Sequence, residues 1–377
     1  MLKEKIKILI QLNQVGYGGT EKAIYTFLNN LDNKCFIPFV FLNSDIYSFN
    51  YYRIKFLSYF FKKYEHKFIE KYHTSFARLN EFSKLLEDKM VVGNGFKAFI
   101  KFVNEINPNI IHFNRGTFED FYTKRINEIP NNIKLVETNI FGKDSDLIYL
   151  KKLDSIFFVS KWLKDKSEWS LKYDSKVLYN PINNLLINQT LREQFNIPTN
   201  DIVLGRISRP NLDNGDFILE VLKKIAGDHV WFISLGASDN FIELTKNNSK
   251  IINLKPTTDL VILDKFYNTL DILLHFRKEG ETFGMNIAEA MIHSKPVVSH
   301  FSEEDNAQYE LILSSKECGF ITNMNVEEYT EKVKILIENS KLRALFSKNA
   351  ESVALELFSE RKVTKVLEDY YRSLFFK

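Results

Sequence analysis

The sequence predicts an α/β protein made of two doubly wound parallel-sheet domains. Three observations predict it. Short apolar runs bounded by turn residues recur along the chain, helical patterns separate them, and the runs divide evenly about residue 185. A run that is apolar at nearly every position suits a strand buried on both faces, as in a parallel sheet. Strand–helix alternation then reads as βαβ units. Open twisted sheets rarely exceed about ten strands, so twelve runs argue for two sheets.

In the first half the strand runs are Ile6–Leu12, Phe36–Leu42, Ile110–Phe113, Ile133–Val136, Ile156–Val159 and Val177–Tyr179. In the second half they are Ile202–Ile207, Val230–Leu235, Ile251–Leu254, Ile272–Phe276, Val297–Ser299 and Phe320–Thr322. Glu21–Leu31, Phe217–Ala226 and Met285–Ile292 carry helical patterns between them. The polar stretch Asn180–Thr190 reads as the linker, which gives an N-terminal domain over 1–184 and a C-terminal domain over 185–357. The tail, Phe358–Lys377, reads as a helix with Val363, Val366, Leu367, Tyr370, Tyr371 and Leu374 on one broad face.

Composition agrees with two domains, since 377 residues at roughly 100–200 per domain is enough for a pair of cores. An apolar share of 45% with 26% charged residues excludes global disorder. A net charge of +3, from 51 basic and 48 acidic residues, argues against a dedicated nucleic-acid binder. Cys35 and Cys318 lie in no metal-type spacing and read as two thiols of a reducing compartment. The N-terminus leads into too few apolar residues for a signal h-region, and no run reaches the roughly 18–20 residues of a membrane span. The expected location is the cytoplasm, with the inner face of a membrane left open.

Aromatic content is high, with 33 Phe and 17 Tyr. Part of it falls in residues 51–89, which break the alternation and read as one or two long helices. Between 51 and 76, six Lys/Arg and two Glu are interleaved with aromatics. Such a segment suits either an anionic membrane surface or a packed helix with a solvated lysine face.

Three loops carry candidate chemistry. The first is Arg277–Met291, where an apolar strand runs into a glycine-containing loop and a helix that Pro296 ends. In a parallel sheet this strand-to-helix loop lies at the carboxyl edge, where ligands bind. The N–H groups of Gly284, Met285 and Asn286 at the helix start suit an anion. Glu281 and Glu289 flank the loop, and carboxylates accept well from vicinal hydroxyls. Glu289 sits among the apolar Ala288, Ala290, Met291 and Ile292, and an unpaired buried acid is costly. The second loop, Gln14–Lys22, opens the first helix with Gly16, Gly18, Gly19 and Thr20, an anion-accepting turn that is not G-x-G-x-x-G. The third, Leu204–Pro210, places Arg206 and Arg209 at a sheet edge, where guanidinium forks suit a diphosphate.

Together these segments resemble the retaining GT-B glycosyltransferases of family four. That family's E-x-F-G-x-x-x-x-E-A-M context followed by a P-V-V strand is matched by Glu281-Thr-Phe-Gly-Met-Asn-Ile-Ala-Glu-Ala-Met291 and Pro296-Val-Val298. Its opening loop resembles Gly18-Gly-Thr-Glu21, its G-R-hydrophobic-S strand end resembles Gly205-Arg-Ile-Ser208, and its pre-linker strand end resembles Tyr179-Asn-Pro181. The motifs occur in order from residue 16 to residue 298.

The resemblance implies a GT-B fold, with an acceptor domain and a nucleotide-sugar domain facing across a cleft, and a closing helix that returns to the first domain. It implies that Glu289 binds the ribose hydroxyls, that Glu281 contacts the donor sugar and that Arg206 neutralises the diphosphate. Gly18, Gly19, Arg209, Phe283, Gly284, Met285 and Asn286 join the donor site. The nucleotide-diphosphate-sugar is a substrate; no cofactor and no metal are implied. The acceptor would be a glycan or a lipid-linked sugar of a surface polysaccharide or glycolipid, with no nucleic acid; peripheral membrane contact through 51–89 stands on the composition of that segment alone.

Departures fall at Asn214, where the family carries a lysine, at His112-Phe-Asn114 in place of H-x-H, and at Glu137-Thr-Asn139 in place of a later histidine. His112 becomes a candidate catalytic residue, and Asn114, Arg115, Glu137 and Asn139 become candidate acceptor residues at strand ends. A non-catalytic GT-B-like binding or partner subunit is the alternative these departures raise. Asp144-Ser-Asp146 has the D-x-D spacing of metal-dependent enzymes but precedes a helical pattern and reads as a helix start.

Overall fold

A computed structural model of the chain describes residues 4–46, 48–68, 75–115, 124–142, 147–183, 187–209, 215–225, 227–313 and 315–375. The chain divides into two compact units. The first comprises Met1–Val159, Leu163–Leu178 and Val363–Lys377, and the second Ser160–Trp162 and Tyr179–Lys362.

In the first unit β1 (Ile6–Leu12), β2 (Phe36–Asn43), β3 (Met90–Gly93), β4 (Ile110–Arg115), β5 (Lys134–Asn139), β6 (Ser155–Phe158) and β7 (Ser175–Val177) form one parallel sheet, ordered β3-β2-β1-β4-β5-β6-β7. β1 is buried on both faces except at Lys7, which is why its sequence shows no alternation. Strand β3 is an addition to the six expected. It has four half-buried residues at the sheet edge, too few to show a period. Among its described residues, the segment read as one or two long helices carries the helices Phe49–Ser58, Lys62–Phe68 and Leu79–Leu86, the last followed by a 3₁₀ turn at Glu87–Lys89; residues 69–74 lie outside the described residues.

The final helix, Glu360–Ser373, joins the first unit from Val363 onward. Val363, Leu367, Tyr370 and Tyr371 are buried, whereas Val366 is exposed and lies off the packed face. Glu368 Oε1 accepts from the Asp32 main-chain N–H at 2.7 Å. The Tyr370 ring meets Phe157 edge-on, with centroids 4.8 Å apart, and the Arg372 guanidinium lies 5.0 Å over Phe36. Part of the aromatic excess is therefore core: Phe36, Phe41, Phe99, Phe113, Phe157 and Phe158 are all fully buried.

In the second unit β8 (Ile202–Ile207), β9 (Val230–Leu235), β10 (Ile251–Leu254), β11 (Ile272–Leu274), β13 (Val297–His300) and β15 (Gly319–Thr322) form a parallel sheet, ordered β10-β9-β8-β11-β13-β15. A two-residue pair, β12 (Gly280–Glu281) with β14 (Asp305–Asn306), sits apart from it. Its core gathers Leu204, Ile218, Val221, Phe232, Ile272, Leu274, Val298, Tyr329, Val333 and Phe346. The Glu310 carboxylate accepts from the main-chain N–H groups of Lys161 and Trp162 and from the Tyr179 hydroxyl, which ties Ser160–Trp162 to this unit.

Both sheets reverse strand order beside their first strand, between β1 and β4 and between β8 and β11. A doubly wound sheet leaves a crevice at that point, outside the carboxyl ends of the strands. Cys35 and Cys318 are free thiols; burial pushes Cys318 up to about 12. Among the described residues no helix is long and apolar enough to cross a membrane.

Candidate functional site

The richest chemistry lies at the reversal point of the second sheet. β8 delivers Arg206 there, with only 4% of its surface exposed, and its Nη2 reaches Phe276 O at 3.5 Å. β11 runs into His275, Phe276 and Arg277, and the chain then turns through β12 to Glu281.

Three elements fix Glu281. Its main-chain N–H donates to Gln308 Oε1 at 3.0 Å, from the helix Ala307–Leu313. Its Oε1 lies 3.3 Å from His275 Nε2, and its Oε2 lies 3.2 Å from Arg277 Nη1. His275 is itself buried and held through Nδ1 by Ser299 Oγ at 2.8 Å. With the serine hydroxyl donating to Nδ1, the ring presents Nε2–H to the carboxylate. Burial alone would raise the Glu281 carboxyl, but the His275 hydrogen bond and the charges of Arg277 and the exposed Arg209 outweigh it and hold the group below its usual range. An ionised carboxylate has about four lone-pair sites, so capacity to accept remains. Beneath it His300 accepts the Arg277 main-chain N–H at Nε2 and donates Nδ1–H to Phe301 O, and burial pushes its ring down.

The helix Met285–Ile292 begins at Gly284, whose φ of +94° favours glycine over any residue with a Cβ. The first N–H groups of such a helix have no partner within it. Phe283 points away: its ring packs between Tyr179 and Phe358, at centroid distances of 6.1 and 5.5 Å. Its side chain is core, and the donor-binding expectation for it is corrected to packing.

Glu289 is buried on the inner side of this helix at 6% exposure, and its Oε2 accepts from the Tyr267 hydroxyl at 2.7 Å. Tyr267 comes from the helix Leu260–Thr269, which Asp259 caps through the N–H groups of Val261 and Ile262. Residues three or four apart share a helix face, so Asp264 and Tyr267 confront Glu289 and His293. His293 Nε2 lies 2.8 Å from Asp264 Oδ1, and its Nδ1 lies 2.7 Å from Glu289 O. Its ring stacks on Tyr267, with centroids 5.2 Å apart. Burial and the Glu289 charge drive the Tyr267 hydroxyl well up, so it stays a donor.

The corresponding edge of the first unit differs. His112 is 4% exposed, with Nδ1 at 2.6 Å from the Tyr371 hydroxyl and Nε2 at 2.8 Å from Thr138 Oγ1. Burial pushes its ring down to about 3. Both nitrogens are taken inside the fold, so the catalytic expectation for His112 is corrected to a buried tie between β4, β5 and the final helix. The Gly18-Gly19 turn is closed in a similar way. Glu21 folds back so that a Cβ on Gly18 would lie 1.9 Å from its Oε2, and Gln14 Nε2 donates to its Oε1 at 2.6 Å. The Glu21 carboxylate therefore lies beside Gly18 in this turn.

Glu137 and Asn139 are buried at the end of β5, and Asn114 and Arg115 of β4 lie opposite Thr138 and Asn139. Gln11 is fully buried at the end of β1; its Nε2 donates to Asn13 Oδ1 while its Oε1 has no hydrogen-bond partner among the described residues. Asn214, Asp144, Asp146 and the side chain of Arg115 lie outside the described residues. Among those described, no cluster of His, Cys, Asp or Glu is placed to hold a metal ion.

The sequence singled out Arg206, Glu281 and Glu289; the structure adds His275, Tyr267, Gln308 and the Asp264–His293 pair around the two glutamates. A histidine near the end of an otherwise apolar strand run was the one available signal, for His275.

Residues 200–339 match the family model described as Glycosyl transferases group 1. No curated protein matches the sequence. Solved structures match over nearly the whole chain. One is Alr3699/HepE of Anabaena in complex with UDP, at 16% identity and a TM-score of 0.71, covering 98% of this chain and 100% of that one. A glycosyltransferase from Rickettsia africae ESF-5 is 18% identical with a TM-score of 0.72, covering 99% and 100%. Sucrose-phosphate synthase (tll1590) from Thermosynechococcus elongatus is 13% identical with a TM-score of 0.69, covering 99% of each chain. Likeness at these identities shows the fold: the two parallel-sheet units are those of GT-B proteins.

Proposed function

We propose that this protein is a retaining glycosyltransferase that moves a hexose from a nucleoside-diphosphate sugar to a hydroxyl of a glycan or lipid-linked acceptor. The observation that carries the reading is that Arg206, near the end of β8, and the loop and helix bearing Glu281 and Glu289, which follow β11, come from the two strands that flank the reversal point of the second sheet. Leaving-group departure builds negative charge on the diphosphate. Arg206, Arg209 and the N–H groups of Met285 and Asn286 supply preorganised positive potential for it. Glu281, ionised and fixed by His275 and Arg277, accepts from hydroxyls of the donor sugar. Glu289, oriented by Tyr267, accepts from the ribose diol. The acceptor hydroxyl attacks from the face the leaving group vacates, and no metal enters the scheme.

The first unit takes the acceptor. Its strand ends carry the carboxamides of Gln11, Asn13, Asn43, Asn114 and Asn139, which suit a neutral polyol better than an anion. The pathway would be synthesis of a surface polysaccharide or glycolipid. UDP-sugars are the first donors to try, because HepE is known in complex with UDP.

The test is donor turnover with EDTA present. Wild type should bind and turn over one nucleotide-sugar, and Glu289→Ala should lose both. Unchanged turnover by Glu289→Ala removes the reading. The engagement of His112 inside the fold favours a second reading, a GT-B-like binding subunit; binding without turnover in the same assay selects it.

A further inference from the structure

The helix Phe49–Ser58 is apolar on two opposite sides. Its inner side is Tyr51 and Ile54, seated on Ile46 with Phe76, Leu79 and Val92 packed around them. At about 100° per residue, Phe49, Tyr52, Arg53 and Phe56 fall on the opposite side. An ordinary surface helix carries charged groups there. Here Phe49 is 85% exposed, Tyr52 55% and Phe56 63%, and beyond the helix Tyr59, Phe60 and Phe61 are exposed by 74, 66 and 56%. The rings form a patch, with the Phe56 and Phe60 centroids 5.2 Å apart. A contiguous exposed aromatic patch marks an interaction surface.

Its charge selects the partner. Arg53, Lys62 and Lys63 are exposed among the rings, and the Lys55 ammonium lies 5.9 Å over Tyr51. Glu65 is the only acid between residues 48 and 65. A second copy of this surface, paired about a two-fold axis, would set these cations against one another. Aromatic rings interleaved with cations instead match the boundary of an anionic bilayer, where rings enter the headgroup layer and cations meet phosphates.

We propose that residues 49–63 dock the protein on an anionic phospholipid bilayer. Phe49, Phe56, Phe60 and Phe61 enter the headgroup–acyl boundary, while Arg53, Lys62 and Lys63 face the lipid phosphates. The proposal stands on this surface alone and is independent of the proposed reaction.

Flotation of the full chain with phosphatidylcholine vesicles, with and without phosphatidylglycerol, tests it. The chain should float with the anionic vesicles and leave them as salt rises. Arg53→Gln/Lys62→Gln/Lys63→Gln should weaken binding by about fivefold per charge. Phe49→Ser/Phe56→Ser/Phe60→Ser should weaken it by at least about tenfold. The substituted side chains are exposed, so thermal unfolding midpoints should match wild type. No binding to anionic vesicles, equal binding to neutral ones, or binding that both variants keep overturns the proposal. So does a dimer in sedimentation that the Phe variant dissolves while vesicles recruit nothing; that result assigns the surface to self-association.

Discussion

The two units share one strand order about their first strand, yet their carboxyl edges are furnished in opposite ways. In the first, the ionisable groups turn inward: His112 is held by Tyr371 and Thr138, and Glu21 fills the opening turn of its own helix. In the second, the fold holds Glu281 through His275 and Arg277 and Glu289 through Tyr267, and the buried Arg206 reaches Phe276 O beside the same strand end. Equal topology thus sets equal strand ends, and the hydrogen-bond partners decide how the side chains there are engaged. Changes at the second edge should therefore act on turnover, and changes at the first on stability.

With both glutamates left in place, the largest expected effect is at Arg206. Arg206→Ala should lower donor turnover by about 10²–10³-fold, the usual loss for one preorganised donor to developing charge. Steady-state rates at saturating donor measure it, and a variant that loses only stability would break the contrast. Next is Tyr267→Phe, which removes one donor to the buried Glu289. A bond to a charged acceptor contributes about 1.5–3 kcal/mol, so nucleotide affinity should fall by roughly ten- to a hundredfold, read by titration calorimetry.

His275→Gln should reduce kcat by about tenfold with little change in KM for the donor, because an amide can refill only part of the imidazole's contact with Glu281. A change confined to the unfolding midpoint would place His275 among the structural residues instead.

The smallest effect on activity is at the first edge. The His112 ring is neutral when folded down to about 3 and titrates near 6.5 when unfolded. Between those values the unfolded chain binds the extra proton, so stability is full above about pH 6.5 and is lost as pH falls, at up to about 1.4 kcal/mol per pH unit. His112→Gln should abolish that slope in urea unfolding at pH 7 and 5 while kcat stays unchanged. A drop in kcat at constant stability would give His112 back a part in catalysis.

The parallel sheets were legible because both-face burial leaves unbroken apolar runs, as in β1 and β8. Arg206 and the Glu281–Glu289 spacing were legible because they follow such runs directly. His275, Tyr267 and Gln308 were not, since they reach the glutamates from three elements and only the folded chain chooses the pairs. Phe283 and His112 misled for the same reason. Each lies next to a ligand edge in sequence, but the side chain turns into the core, toward Phe358 in one case and Tyr371 in the other. The four-residue β3 escaped notice because its pairing with β2, not its own pattern, makes it a strand.

The first unit is discontinuous. Tyr371 meets His112 across 259 positions, and the whole second unit is made between them. During synthesis the second sheet has all its strands before Val363–Lys377 emerges. Until then His112 Nδ1 and the Asp32 main-chain N–H lack the partners that the final helix brings. The first unit therefore completes its hydrogen bonding only after the second has been synthesised.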